Sequence, residues 1–161
     1  MADVHSAEIR SKNMRAIGTR DTAIERRIAS LLGDLGMEFC VQDASLPGRP
    51  DFVLAQFNAV IFTHGCFWHK HQCPLFKLPA TRTGFWLKKI DANVARDWRD
   101  RLALSELGWR VLVVWECALR GRQKLSDRAL QARLEEWVCA AGSNSEIDPG
   151  GIHLIGNDSA G

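Results

Sequence analysis

The first sustained apolar rhythm in the chain is helical. Ile24, Ile28, Leu31, Leu32 and Leu35 recur at i, i+4, i+7, i+8 and i+11 behind Asp21, a residue suited to an N-cap region, and Gly36 follows as a stop. That spacing predicts an amphipathic helix. The rhythm then shortens. Residues 38–42, 51–56 and 58–63 are β-type stretches separated by the turn-rich Asp43–Pro50 and by a tight connection near Phe57-Asn58, and the last two are expected to pair as a hairpin. Residues 64–80 follow neither period, contain three His, two Cys and two Pro, and read as an irregular insert held by something other than apolar packing. A long helix is predicted from about Gly84 to Leu107, ended by Gly108. Leu87, Ile90, Val94, Leu102 and Leu107 are available to a core, with Lys88, Lys89, Arg96, Arg99 and Arg101 outside. Trp109–Trp115 is an apolar run of the length of a buried strand that follows a helix, which favours a parallel central position. A last helix over Ser126–Ala140 places Leu130, Leu134 and Trp137 on one face.

The order α-β-β-β-α-β-α implies an α/β fold with a mixed central sheet flanked by helices on both faces. Residues 1–20 are expected to form a polar arm that orders on a partner, residues 21–140 the main domain with 64–80 as its insert, and residues 141–161 a C-terminal tail. The tail is rich in Gly, Ser and Asp and is expected to be mobile apart from an apolar patch at Ile152–Ile155.

Composition narrows the class. A length of 161 residues, 46% hydrophobic and 25% charged, fits one globular domain and disfavours a disordered or fibrous chain. No apolar run approaches the roughly 20 residues of a membrane helix, and Met1–Arg10 lacks the apolar core of a signal peptide, so the expectation is a soluble cytoplasmic protein. Five Cys, an odd number without an export signal, argue for thiols or metal ligands over a disulfide framework. The net charge of +2 hides a local asymmetry, since residues 64–102 hold eight Lys/Arg against three Asp/Glu. A basic stripe of this kind is a polyanion footprint or simply a solvated face.

Three groups of residues carry candidate chemistry. Cys66, His71 and Cys73 lie in the insert that lacks a core, and Cys117 lies just past a predicted strand end; soft donors in this number fit a tetrahedral structural Zn²⁺. The alternative is two buried thiols and a solvated ring. Cys40 and Cys139 have no nearby partner in sequence and read as packed thiols. Asp51 opens one strand, Thr63-His64 ends its hairpin partner and His69 follows. A carboxylate and polar groups so placed can converge on a hard cation such as Mg²⁺, while the imidazoles move protons near neutral pH. Glu25 can join from the preceding helix. Equally, Asp51 can close a turn and His64 cap Gly65. Phe67-Trp68 and Trp86, flanked by Lys70, Lys77, Arg82, Lys88 and Lys89, suit rings that stack on or wedge between bases. Against that, Trp86 can pack with Leu87 and Ile90, and Phe67 can line the metal site.

The stretches Arg10–Ile17, Val41–Val53, Val60–His69 and Gly108–Cys117, with Arg120-Gly121-Arg122, resemble the very short patch repair (Vsr) DNA mismatch endonuclease family of the restriction-endonuclease-like superfamily. The block Phe62-Thr63-His64-Gly65-Cys66-Phe67-Trp68-His69 is the most specific part of the likeness. The resemblance implies a Mg²⁺-dependent nick of one strand, 5′ of the T in a T·G mismatch that arises when 5-methylcytosine deaminates in a CT(A/T)GG context. It implies Asp51 and the main-chain carbonyl of Thr63 as Mg²⁺ ligands, His69 as general base, His64 at the phosphate or leaving group, and Glu25 orienting metal-bound water. It further implies Zn²⁺ on Cys66, His71, Cys73 and Cys117, a wedge of Phe67, Trp68 and Trp86, contact from Met14 on the arm, and base-edge contacts from Lys89 and Asn93. Double-stranded DNA is the implied partner of a monomer at the bacterial nucleoid, in the cytoplasm, with coupling to the mismatch-repair protein MutL and no membrane. The chain departs from the superfamily's PD-(D/E)xK pattern, because Thr63-His64 stands where a carboxylate and a Lys are expected. Two other readings use the same residues: a restriction enzyme cutting both strands as a dimer, and a zinc-stabilised DNA-binding module without chemistry. A zinc deaminase is disfavoured, as no His-x-Glu with a downstream Pro-Cys-x-x-Cys is present.

Overall fold

A computed structural model describes residues 22–140 and 143–155. The expected first helix, α1 (Thr22–Asp34), buries Ile24, Ile28, Leu31 and Leu32. It ends where Gly36 enters the left-handed region at φ +76°, which lets Met37 N–H reach back to the Leu32 carbonyl at 3.1 Å. Strands β1 (Cys40–Val41), β2 (Phe52–Leu54) and β3 (Ala59–His64) then form an antiparallel meander. Strand β2 stops earlier than its sequence suggests because Ala55–Phe57 turns into one 3₁₀ coil, closed by Asn58 in the left-handed region. The hairpin of β2 and β3 is as expected.

Helix α2 (Thr83–Glu106) crosses over to β4 (Arg110–Trp115), which pairs parallel with β3 from Ala59–Arg110 to His64–Trp115. A one-turn α3 (Glu116–Leu119) and α4 (Asp127–Cys139) follow, the latter N-capped by the Ser126 hydroxyl, which accepts from Ala129 N–H at 3.1 Å. The presumed tail instead supplies β5 (Ser145–Asp148), parallel to β4, and β6 (Gly151–Leu154), antiparallel to β5. The result is one six-stranded mixed sheet in sequential order, flanked by helices. Among the described residues no helix is long and apolar enough to cross a membrane.

The strand alternation divides the core between the two faces of the sheet. On one face Phe52, Leu54, Ile61, Leu112 and Val114 pack with α1, α3 and α4 through Ile28, Leu32, Leu119, Leu130, Leu134 and Trp137. On the other face Val53, Val60, Val111 and Val113 pack with Leu104 of α2, flanked by the partly buried Leu46, Phe62, Trp109, Trp115 and Ile155. Helix α2 presents a different stripe from the one expected. Ile90 and Leu104 are buried, but Val94, Leu102 and Leu107 are exposed, and Arg101, expected outside, is half-buried. Between Ile90 and Leu104 the inward positions are polar, and there the helix stands over open space.

Candidate active site

That open space is a cleft of about 600 Å³ between α2, the ends of β3 and β4, and the loop before β2. Its floor is built by the hairpin. Asp51 immediately precedes β2 and is 2% exposed, and its carboxylate reaches Thr63 near the end of β3. The Thr63 backbone N–H donates to Asp51 Oδ2 at 2.7 Å and the Thr63 hydroxyl to the same oxygen at 3.1 Å. Two donors on one oxygen fix the plane of the carboxylate. Its other oxygen, Oδ1, accepts from Gln42 Nε2 at 3.3 Å, and the same amide donates to Glu25 Oε2 at 3.4 Å. Glu25, 2% exposed on α1, is thereby held beside Asp51, as the helix register allowed.

The two candidate imidazoles meet. His64 ends β3 and His69 lies one turn into the insert, where its N–H donates to the Gly65 carbonyl at 3.2 Å. Their rings stack at 3.9 Å with planes 4° apart. His69 Nδ1 shares a short hydrogen bond with an Asp97 carboxylate oxygen. This leaves Nε2 of His69 as the nitrogen available for proton transfer, with the tautomer set by the carboxylate. His64, His69 and Asp97 offer donor atoms within 4.8 Å of one another. Yet Asp97 already engages Nδ1, and face-to-face rings keep their in-plane lone pairs parallel, so the group is built as an oriented acid–base pair more than as a chelate.

Asp97 is the main residue the sequence reading missed. It follows Asn93 by four positions and precedes Asp100 and Arg101 by three and four, so these side chains share the stripe of α2 that lines the cleft. Burial and the neighbouring Asp97 push the Asp100 carboxyl up from its ordinary value. Burial lowers the Arg101 guanidinium, while Glu146 and Asp97 oppose that. The opposite rim is the Asp43–Pro50 loop, pressed on α2 at Gly48. A Cβ there would lie 3.0 Å from Asp100 Cβ, and φ is +76°, so only glycine fits the close approach.

The Cys/His set also assembles. Donor atoms of Cys66, His71, Cys73 and Cys117 lie within 4.8 Å of one another. His71 Nδ1 is 3.5 Å from Cys66 Sγ and 3.4 Å from Cys117 Sγ. A tetrahedron with metal–sulfur bonds of ~2.3 Å and a metal–nitrogen bond of ~2.0 Å has sulfur–nitrogen edges of about 3.5 Å, so the donors fit such an ion. Burial raises the Cys66 thiol and pushes Cys117 up to about 11, so both are neutral thiols without a cation, and metal binding must expel their protons. Glu116 Oε1 accepts the Cys66 N–H at 3.1 Å. The His71 ring stacks on Trp115 at 4.1 Å, and the Trp115 indole N–H donates to Glu146 Oε1 of β5 at 2.7 Å. Cys40 and Cys139, expected as packed thiols, are exposed instead.

Beside the insert stands an aromatic cluster. Trp68 lies 5.0 Å from Phe67 and 5.9 Å from Trp86, and Phe67 is 5.9 Å from Trp86. Trp86 packs on these rings and on Phe85, which the sequence reading did not include. Trp68 and Phe85 are 42% and 45% exposed, a wet edge on an otherwise self-packed group. Lys89 Nζ sits 5.7 Å above the Trp68 ring, and Asn93 Nδ2 donates to the Trp68 carbonyl at 3.3 Å, so both lie where insert and helix join. Met14 lies outside the described residues.

The family profile of "DNA mismatch endonuclease Vsr" matches residues 2–75. The chain is 68% identical over 155 residues to the DNA mismatch endonuclease Vsr of Escherichia coli (strain K12), covering 96% of this chain and 99% of that one. It is 44% identical to the type II nicking enzyme V.XorIIP of Xanthomonas oryzae pv. oryzae, over 83% of this chain and 95% of the relative. It is 35% identical to the type II nicking enzyme V.NmeAIP of Neisseria meningitidis, over 80% and 91%.

Proposed function

We propose, from the premise that this chain belongs to the Vsr family of DNA mismatch endonucleases and is an endonuclease of mismatch repair, a particular substrate and chemistry for it. It nicks one strand of duplex DNA 5′ of the T in a T·G mismatch, in the CT(A/T)GG context left by deamination of 5-methylcytosine, and it requires Mg²⁺. The observation that carries the reading is the oriented Asp51 carboxylate within one cleft with the His69–Asp97 pair and His64. That chemistry stands next to an aromatic cluster with two exposed rings. The relatives named as nicking enzymes favour a single-strand cut.

In this account Asp51, with the Thr63 main-chain carbonyl, would hold Mg²⁺, and Glu25 would orient the attacking water. When bound, the ion lowers the pKa of that water and offsets charge on the scissile phosphate. His69 takes the water's proton at Nε2 while Asp97 steadies the imidazolium through Nδ1, and His64 supports the phosphate or the departing oxygen. Zn²⁺ on Cys66, His71, Cys73 and Cys117 pins the insert to the end of β4, so that the histidine following the wedge rings is presented rigidly. Phe67, Trp68 and Trp86 unstack the duplex beside the weak wobble pair, where distortion costs less than beside a matched pair. Lys89 and Asn93 read base edges, and Met14 on the 1–20 arm reaches the opposite groove. The sheet and helices serve as a restriction-endonuclease-like frame in which His replaces the usual Lys. A monomer in the bacterial cytoplasm, acting at the nucleoid and coupled to MutL, accords with one active site and one nick.

An end-labelled duplex with a single T·G pair in CT(A/T)GG, compared with its matched counterpart and with EDTA, tests this directly. One Mg²⁺-dependent nick 5′ of the T is expected. Cleavage of both strands of matched DNA would place the protein with restriction enzymes, and binding without cleavage in any divalent metal would leave only a DNA-binding module.

A further inference from the structure

Gln42 follows β1 with its backbone at φ 54°, a left-handed conformation that a long side chain seldom adopts. Two contacts hold it there. Its N–H donates to the Asp51 carbonyl at 3.1 Å, and its own carbonyl accepts from Arg49 Nε at 3.4 Å. The twist places the side-chain amide between two carboxylates that are each 2% exposed, so that Nε2 donates to Asp51 at 3.3 Å and to Glu25 at 3.4 Å. Neighbouring buried carboxylates repel unless donors or a cation lie between them. An NH₂ group offers two hydrogens in one plane and adds no net charge. A Lys or Arg in that place would neutralise the carboxylates and exclude a metal; the amide does neither. Its bonds lie at the long limit of hydrogen bonding, so they fix relative position while competing weakly for the oxygen lone pairs.

We propose that Gln42 is a positioning residue for the catalytic cation: it holds Asp51 just before β2 and Glu25 of α1 at the separation a hydrated divalent ion needs. This rests on the reading that Asp51 binds such an ion. Loss of groups that orient metal ligands typically weakens metal affinity by about 10–100-fold.

The test is Mn²⁺ binding, followed by electron paramagnetic resonance on the full-length protein bound to a T·G duplex. Gln42→Gly removes the amide and relieves the backbone; Gln42→Asn keeps an amide one methylene too short on a residue that tolerates the left-handed region. Thermal melts establish that the variants are folded, and Gln42→Gly decides if Gln42→Asn is not. We expect Mn²⁺ affinity to fall about tenfold. The Mg²⁺ concentration for half-maximal nicking should rise by a similar factor, with the rate at saturating Mg²⁺ returning to near wild type. Unchanged or tighter Mn²⁺ binding, or a rate that saturating Mg²⁺ does not restore, overturns the role of Gln42. Asp51→Asn separates the two levels. If it loses Mn²⁺ while Gln42→Gly keeps it, only the Gln42 proposal fails. If Asp51→Asn binds Mn²⁺ as well as wild type, or wild type binds none, the reading beneath it fails too.

Discussion

The two faces of the sheet are built on opposite principles. Against α1, α3 and α4 the strands present Phe52, Leu54, Ile61, Leu112 and Val114 to a continuous apolar layer. Against α2 they present Val53, Val60, Val111 and Val113, and the facing helix answers with Leu104 and, between its buried Ile90 and Leu104, a run of polar side chains over a cleft. The first face is arranged as removal of apolar area from water favours. The second leaves carboxylates close together and partly desolvated, an arrangement that costs stability and is useful for chemistry. On the reading proposed above, stability rests mainly on the first face and most of the chemistry on the second, with Glu25 reaching the cleft from α1.

Truncation of the apolar layer should have the largest effect on folding. Leu134, fully buried on α4, is expected to cost ~2–5 kcal/mol when changed to Ala, measured by urea unfolding, with nicking per folded molecule unchanged. A stability loss under 1 kcal/mol, or nicking lost in the folded fraction, would blur the division between faces.

The Cys/His cluster sits at the seam, tied to the cleft by Trp115 between His71 and the His64 and His69 rings. If the cluster binds zinc as proposed, wild type should hold one ion per chain by elemental analysis, and Cys73→Ser should lower that to a small fraction and expose the 64–80 insert to protease, while α4 and its layer stay folded. Zinc retained at one per chain removes Cys73 from the ligand set.

The smallest expected change concerns recognition. Trp68→Ala should leave stability near wild type, since the ring is 42% exposed, yet reduce discrimination between T·G and matched duplex by about 1–3 kcal/mol, the scale of one base–aromatic stack. Equal losses of binding on both duplexes would take the wedge role away from Trp68.

The same contrast explains what the amino-acid sequence disclosed. Apolar periodicity located α1, α4, the hairpin and β4 because those elements follow the burial rule on at least one side. It mislocated the stripe of α2. Val94, Leu102 and Leu107 look like core positions in a helix of mixed composition, whereas the inward stripe runs through Asn93, Asp97, Asp100 and Arg101, whose chemistry disguises it as a solvated face. Asp97 was lost for that reason. Spacing four from Asn93 was the available signal, and only the approach of His69 gives it meaning.

Strands β5 and β6 were missed on similar grounds. Ser145-Glu146-Ile147-Asp148 has one large apolar residue turned inward, and the strand is secured by side chains: Asn144 accepts from Val111 N–H at 2.9 Å and Glu146 from Trp115. Gln42 gave no local pattern at all, because its role depends on a backbone twist that brings Glu25 and Asp51 to one amide. The soft-donor set of Cys66, His71, Cys73 and Cys117 was legible in advance, since the insert follows neither apolar period.

The most direct test pairs urea unfolding with single-turnover nicking for Asp51→Asn/Asp97→Asn. Nicking of the T·G duplex abolished, with an unfolding free energy at or above that of wild type, is the expected result, because the substitutions keep shape while removing like charges from the cleft. A loss of stability comparable to that of Leu134→Ala, or nicking that survives, would contradict the assignment of chemistry to this face of the sheet.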